Sequence, residues 1–331
     1  SQVKILEEEI IKYYSTKFAV GVASGTDVRV LALVSLGVGK EDEVITTPFT
    51  FIATAEAISR TGARPVFCDI EYNTFNIDPD KIEAKITKRT KAIIPVHLYG
   101  LPCDMDKIMD ISKEHNLKII EDCAQSFGSE YKGRKVGSLG DIGCFSFFPG
   151  KNLGCYGDGG MIVTSDANIA ENIKCLRNHG STDRYHYRMH GFNSRLDTVQ
   201  AAILKVKLKY INKWIDLRIK NANYYNGLLK DTSFVIPVSQ DGIKHSFNYY
   251  TIRIKKNRDL IQKNLKENNV TCAIYYPLCL HLQDIYKDLG YEQGDFPIAE
   301  QSQGEVLSLP MYPELTKEQI LEIMNAIKKG I

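Results

Sequence analysis

Through roughly its first two-thirds the chain alternates short β-branched runs with stretches of helical period, and this alternation restricts it to an α/β layer architecture on a mostly parallel sheet. Strands are predicted over 18–23, 43–47, 64–69, 92–96, 118–121, 144–147 and 161–164. Helices are predicted between them, over 27–36, 51–60, 79–86, 105–115 and 167–177. The third has the clearest start signal, because Asp78 can cap free N–H groups while Pro79 stands where its missing donor costs nothing. From Arg195 a long helical stretch to about Leu229 is expected to lead into a second unit. There 247–254 alternates as a half-buried strand, while 260–267 and 316–329 have helical period. The expected organisation is a large domain with a central mixed sheet over 1–205 and a smaller α+β domain over 206–331.

At 331 residues the chain is long enough for two sizeable cores. Apolar residues make up 44% and charged residues 25%, the balance of a globular protein, and the net charge is only +2. No run of Lys and Arg interleaved with aromatics offers a footprint for nucleic acid, and no stretch approaches the length of a membrane span. The eight cysteines are scattered without a C-x-x-C pair and read as reduced core thiols. With no apolar signal core at the start, the expected location is the cytoplasm.

Three segments carry residues suited to chemistry. Ser24-Gly25-Thr26 follows a strand and opens a helix, where free amides and the helix dipole favour an anion such as phosphate; an ordinary N-cap explains the same residues. Asp122 ends the apolar run from Leu117, placing a carboxylate at the carboxyl edge of a strand, where open α/β sheets bind ligands. A buried Asp there needs a cationic partner, a protonated ring nitrogen being one, or else it is a structural cap. Gln125 either reaches a ring hydroxyl or satisfies a loop. In Ser146-Phe-Phe-Pro-Gly-Lys-Asn-Leu-Gly, Lys151 lies between an aromatic strand end and the glycines 154, 157, 159 and 160. Such surroundings would desolvate its ammonium and lower its pKa, as Schiff-base chemistry requires; a structural lysine stays equally open on the residues alone. The glycines do not follow the G-x-G-x-x-G spacing of a nucleotide fingerprint. His186 and His190 are spaced like a helical metal pair, but without a carboxylate or cysteine cluster they read as loop histidines, and no metal is expected.

Several longer strings carry a resemblance. Glu121-Asp-Cys-Ala-Gln-Ser-Phe-Gly, Ser146-Phe-Phe-Pro-Gly-Lys-Asn-Leu-Gly-Cys-Tyr-Gly-Asp-Gly-Gly and Gly191-Phe-Asn-Ser-Arg-Leu-Asp-Thr-Val-Gln-Ala-Ala resemble the sugar aminotransferases of the DegT/StrS group. So do Pro48-Phe-Thr-Phe-Ile-Ala-Thr-Ala-Glu-Ala and Tyr276-Pro-Leu-Cys-Leu-His-Leu-Gln, which extends the likeness through nearly the whole chain.

The resemblance implies the type I fold of aminotransferases that use pyridoxal 5'-phosphate. It implies that Lys151 condenses with the cofactor and shuttles the proton, and that Asp122 partners the pyridine nitrogen. It further implies that Gln125 contacts the ring hydroxyl, that Phe51 stacks on the ring with Phe49 a near alternative, and that Gly25, Thr26 and Ser146 bind the phosphate. Asn193 would reach the phosphate of the neighbouring subunit, so that a homodimer shares its active sites, and Tyr276 and His281 would contact the sugar or its diphosphate. The implied reaction takes the amino group of L-glutamate, releases 2-oxoglutarate and aminates a nucleotide-linked keto-sugar. Arg195-Leu-Asp-Thr-Val-Gln with Tyr276-Pro inclines the reading towards C3, with C4 open. Two departures stand out: the leading helix and turn of the family are missing, and Arg29 replaces a common apolar residue, neither expected to touch the cofactor residues. A cofactor-dependent sugar dehydratase is the rival within the fold, disfavoured by Lys151 and the absence of clustered cysteines. A non-catalytic regulator is the rival of another class.

Overall fold

In the computed structural model, which describes residues 1–183, 185–238 and 241–328, the chain opens with α1 (Gln2–Tyr14), β1 (Phe18–Val22), α2 (Gly25–Ser35), β2 (Glu43–Thr46), α3 (Ala53–Arg60), β3 (Arg64–Phe67) and β4 (Thr90–Ile93). It continues with α4 (Met105–Glu114), β5 (Lys118–Asp122), the short β6 (Glu130–Tyr131) and β7 (Arg134–Lys135), β8 (Ile142–Ser146), β9 (Gly160–Thr164) and α5 (Ala167–Leu176). The last third holds α6 (Thr198–Leu208), α7 (Ile211–Leu229), β10 (Ile243–Lys244), β11 (Tyr250–Arg253), α8 (Arg258–Glu267), α9 (Pro297–Glu305), β12 (Val306–Leu309) and α10 (Lys317–Lys328).

The seven strand runs expected from the sequence form one sheet in the order β1-β9-β8-β5-β4-β2-β3. The pairs β2/β3, β2/β4, β4/β5 and β5/β8 are parallel, and β9 alone runs against its neighbours β1 and β8. Successive side chains of a strand face opposite ways. One face of the sheet therefore packs Ile45, Ile93, Ile119 and Phe145 against α1, α4, α6 and the start of α7. The other face packs Val44, Ala92, Ile120, Ile142 and Cys144 against α2, α3 and α5. The same alternation sends Glu121 to the first face and Asp122 to the second, so two adjacent carboxylates serve different layers.

Glu121 is fully buried and tied to backbone. Its Oε1 accepts from the amides of Leu139 (2.8 Å) and Gly140 (2.7 Å), and its Oε2 from Gly137 (2.7 Å) and from His97 Nε2 (3.1 Å). His97 Nδ1 in turn accepts from the amide of Cys103, which fixes the Nε2–H tautomer as donor to Glu121. The network anchors the loop that leads into β8.

Two helices differ from expectation. Over 79–86 the chain makes two 3₁₀ turns, Pro79–Lys81 and Glu83–Lys85, not an α-helix, although Asp78 caps as expected by accepting from Asp80 N. Only Pro79 and Ile82 of this segment are buried, too little packing for so short a helix to hold. The stretch from 195 begins its helix at Thr198 and breaks at Lys209–Tyr210, giving α6 and α7. α7 bridges two cores: Ile211 and Ile215 pack under the large sheet, while Ala222, Tyr225 and Leu229 join a separate apolar cluster with β11, β12, α8 and α10. The strand expected over 247–254 is confined to β11, and the last helix ends at Lys328, its expected final residue Lys329 lying outside the described residues. Among the described residues no helix is long and apolar enough to cross a membrane. All eight cysteines are unpaired and seven are buried.

Candidate active site

Asp122 ends β5 and Ser146 ends β8, and register and parity place both on the face covered by α2. Ser24 caps α2, its hydroxyl accepting from Asp27 N at 3.1 Å. The amides of Gly25 and Thr26 in that first turn have no acceptor within the helix. Helix and strand end come together closely: a Cβ on Gly25 would fall 2.6 Å from both Cβ and Oγ of Ser146, so only glycine fits. Two free amides, a hydroxyl and a helix N-terminus thus converge where an anion would be held.

Asp122 is almost fully buried. Its Oδ1 accepts from Arg29 Nη2 (2.7 Å) and the amide of Ala124 (3.1 Å), and its Oδ2 from Arg29 Nε (2.6 Å) and Thr54 Oγ1 (2.7 Å). Burial alone would raise the carboxyl pKa. The guanidinium charge and the donors from Arg29, Thr54 and Ala124 outweigh it and hold the group below the usual carboxylate range. Arg29, equally buried, projects from the first turns of α2 and also donates to Gly25 O at 2.5 Å. The expectation that Arg29 leaves the cofactor residues untouched is therefore overturned. A charged side chain within the apolar run Val28–Leu33 must find a partner, and Asp122 is that partner.

Lys151 sits on the turn after β8, its amide bonded to Phe148 O at 2.9 Å. The next residue locks this turn in place, because Asn152 Nδ2 donates to Ser246 O at 3.1 Å. Burial first and the Arg29 charge second lower the Lys151 amine to about 8, Asp122 opposing them. Capture of an aldehyde by this amine is accordingly expected to rise tenfold per pH unit up to about pH 8 and then level off. At pH 7 about a tenth of the amine is neutral, against about one part in 3000 for an ordinary lysine. Stopped-flow measurement of pyridoxal phosphate capture across pH 6–10 checks this; a rate still climbing at pH 10 would contradict it.

Tyr276 closes the group. Its hydroxyl accepts from Gln125 Nε2 at 3.0 Å, while Gln125 Oε1 accepts from the amide of Tyr99 at 2.7 Å. Burial keeps the Tyr276 phenol protonated, pushing its pKa far up. The Phe51 ring lies 6.3 Å from that of Tyr276 and is 55% exposed, whereas Phe49 is fully buried in the apolar core. Of the two, only Phe51 has a face free to meet a ligand.

His281 is not brought to this group, and Asn193, expected to serve the neighbouring subunit's site, lies apart from it. Asn193 is exposed, bridged through its backbone to Asn178; it is the following Ser194 that reaches α2, donating to Asp27 Oδ2 at 2.7 Å. His281 is buried, with Nε2 3.1 Å from Glu300 Oε1 and its ring edge-on to Phe296. Arg29 and Thr54 are the residues that sequence reasoning missed. The signal for Arg29 was available, a lone charge in an apolar helix; nothing singled out Thr54.

Comparison with known proteins identifies the family. Residues 1–328 match the model of the DegT/DnrJ/EryC1/StrS aminotransferase family. A pleiotropic regulatory protein of Geobacillus stearothermophilus is 51% identical over 98% of this chain and 88% of its own. The UDP-N-acetyl-3-dehydro-alpha-D-glucosamine 3-aminotransferase of Acidithiobacillus ferrooxidans is 46% identical over 100% of this chain and 89% of its own. Among solved structures, S. venezuelae DesV in complex with a ketimine intermediate superposes with a TM-score of 0.96 at 39% identity, covering 99% of this chain and 89% of that one. The chain belongs to the DegT/DnrJ/EryC1/StrS aminotransferase family.

Proposed function

We propose that the chain holds pyridoxal 5'-phosphate at Lys151 and moves an amino group from L-glutamate to the keto carbon of a nucleotide-linked sugar, with C3 favoured over C4. The observation that carries this reading is the placement of Lys151 on the turn after β8, a strand whose end at Ser146 meets the N-terminus of α2 and whose neighbour β5 ends in Asp122. The residues fit the cofactor. The α2 N-terminus with Gly25, Thr26 and Ser146 suits its phosphate, and Phe51 offers a stacking face. Gln125 and Tyr276 form a polar wall, and Asp122 supplies a carboxylate for the ring nitrogen. When bound, the cofactor supplies an aldehyde and a ring that draws electron density from the carbon bearing the transferred nitrogen.

The chain's own residues do the rest. Lys151, poised near neutrality, takes a proton from one carbon and returns it to another. Asp122 stays ionised at neutral pH because its donors outweigh its burial. The C3 preference is supported by the 3-aminotransferase named among the relatives. The division near residue 205 is supported by the separate apolar cluster beyond α7. A homodimer with shared sites is supported by the exposure of Asn193 and of the apolar Phe192, Val199, Val206 and Tyr210. A cytoplasmic location is supported by eight unpaired thiols.

The test is spectroscopic. Protein loaded with the cofactor should lose its near-visible band on addition of L-glutamate. In a panel of dTDP- and UDP-linked amino-sugars run in reverse, the 3-amino compounds should bleach it at least about tenfold faster than their 4-amino isomers, a gap of about 1.4 kcal/mol. Indifference to every amine would overturn the aminotransferase reading; bleaching by 4-amino sugars alone would overturn C3.

A further inference from the structure

Asp122 has no acceptor position to spare. A carboxylate offers about four lone-pair sites, and here all four are used: one by the Ala124 amide, one by Thr54 Oγ1 and two by the Arg29 fork. The first donor is backbone of the β5 turn and cannot leave without moving it, and the second is a short side chain on α3 with a single rotatable bond. The fork is different. It stands at the end of a rotatable side chain, and its third nitrogen already has an acceptor elsewhere, Gly25 O on its own helix. A protonated ring nitrogen that sought Asp122 would therefore meet a site occupied by another cation of the same charge.

We propose that Arg29 is the resident counter-ion of Asp122, and that its guanidinium and the cofactor's ring nitrogen compete for the same acceptor positions of that carboxylate. Arg29 is in this sense a positioning residue. It holds Asp122 ionised and oriented before the cofactor arrives, and it must yield at least one of its two bonds when the ring docks. The consequence is thermodynamic: whatever the nitrogen gains from Asp122 is offset by the ion pair it displaces, so this chain draws little net affinity from that nitrogen. The proposal rests on the reading that Asp122 faces the ring nitrogen.

The experiment compares the affinity of the cofactor-free protein for pyridoxal phosphate and for its 1-deaza analogue, in which the ring nitrogen is replaced by C–H. The unsubstituted protein is expected to hold the two within about threefold of each other. Arg29→Met, with an apolar side chain at this position, should hold pyridoxal phosphate about tenfold or more tighter than the analogue, the scale of a hydrogen bond to a charged group. Arg29→Met/Asp122→Asn, which leaves no buried charge at either position, should return to near-equal affinities. Should Arg29→Met fail to fold, the unsubstituted protein still decides: a tenfold or larger preference for pyridoxal phosphate would show that the nitrogen already owns the carboxylate and would overturn the proposal. An unchanged ratio in Arg29→Met would overturn it equally. If neither compound bound to any form, the assignment of the site itself would fall, and the proposal with it.

Discussion

Lys151→Ala is expected to abolish covalent retention of pyridoxal phosphate and to slow conversion of the cofactor by L-glutamate at least about 10³-fold, because the nucleophile and the proton carrier are lost together. Lys151→Arg should be no better, since a guanidinium keeps the charge but offers no amine at accessible pH. Neither defect should come from unfolding. The folded-state pKa of Lys151, about 8, lies below the ordinary 10.5, so between these values the folded protein binds fewer protons than the unfolded one and stability rises with pH. Below about pH 8 the full penalty for this partly desolvated ammonium is present. Removing the amine at pH 7 relieves that penalty, and Lys151→Ala should melt no lower than the unsubstituted protein. Single-turnover absorbance and thermal melts at pH 7 check both statements; a variant that unfolds would make the lysine structural.

Asp122→Ala should do the reverse, damaging stability as much as chemistry. It strands the buried Arg29 guanidinium without its counter-ion, and breaking a buried pair from one side costs about 3–5 kcal/mol. Because the folded pKa of Asp122 is held below 3.8, its contribution is present above about pH 4 and lost as acid titrates the group. Urea unfolding should thus show a large gap between Asp122→Ala and the unsubstituted protein at pH 7 that narrows towards pH 3. Adding Arg29→Met to Asp122→Ala should recover much of the loss. A constant gap across pH would mean that the pair is not what holds the two elements together.

The Arg29–Asp122 pair also marks where sequence reading stops. The strands were legible because each is a short β-branched run with turn residues at its ends, and β5 could be found from Leu117-Lys-Ile-Ile alone. Asp122 could be nominated because a carboxylate ends an apolar strand, and Lys151 because an amine lies between an aromatic strand end and a run of glycines. What could not be read was which layer each side chain joins. Glu121 and Asp122 are neighbours in sequence, yet one anchors a backbone loop and the other meets α2 and α3, a division set by strand parity and by contacts made 93 residues apart. Phe49 and Phe51 were nearly interchangeable on paper, and only burial separates them. The segment 79–86 had a good helix start but an apolar stripe of only Pro79, Ile82 and Ile86, too short to hold a helix, and the break at Tyr210 has no proline or glycine to announce it. His281 stood in a recognisable string, but the string does not tell that its imidazole lies against Phe296 and Glu300.

The central claim is that one amine, held by the turn after β8, condenses with the cofactor's aldehyde. Reduction of the cofactor-loaded protein with borohydride, followed by peptide mapping, tests it most directly. One pyridoxyl group per chain on Lys151 is the expected result. An adduct on Lys207, whose amine burial also lowers, or no adduct at all, would contradict it.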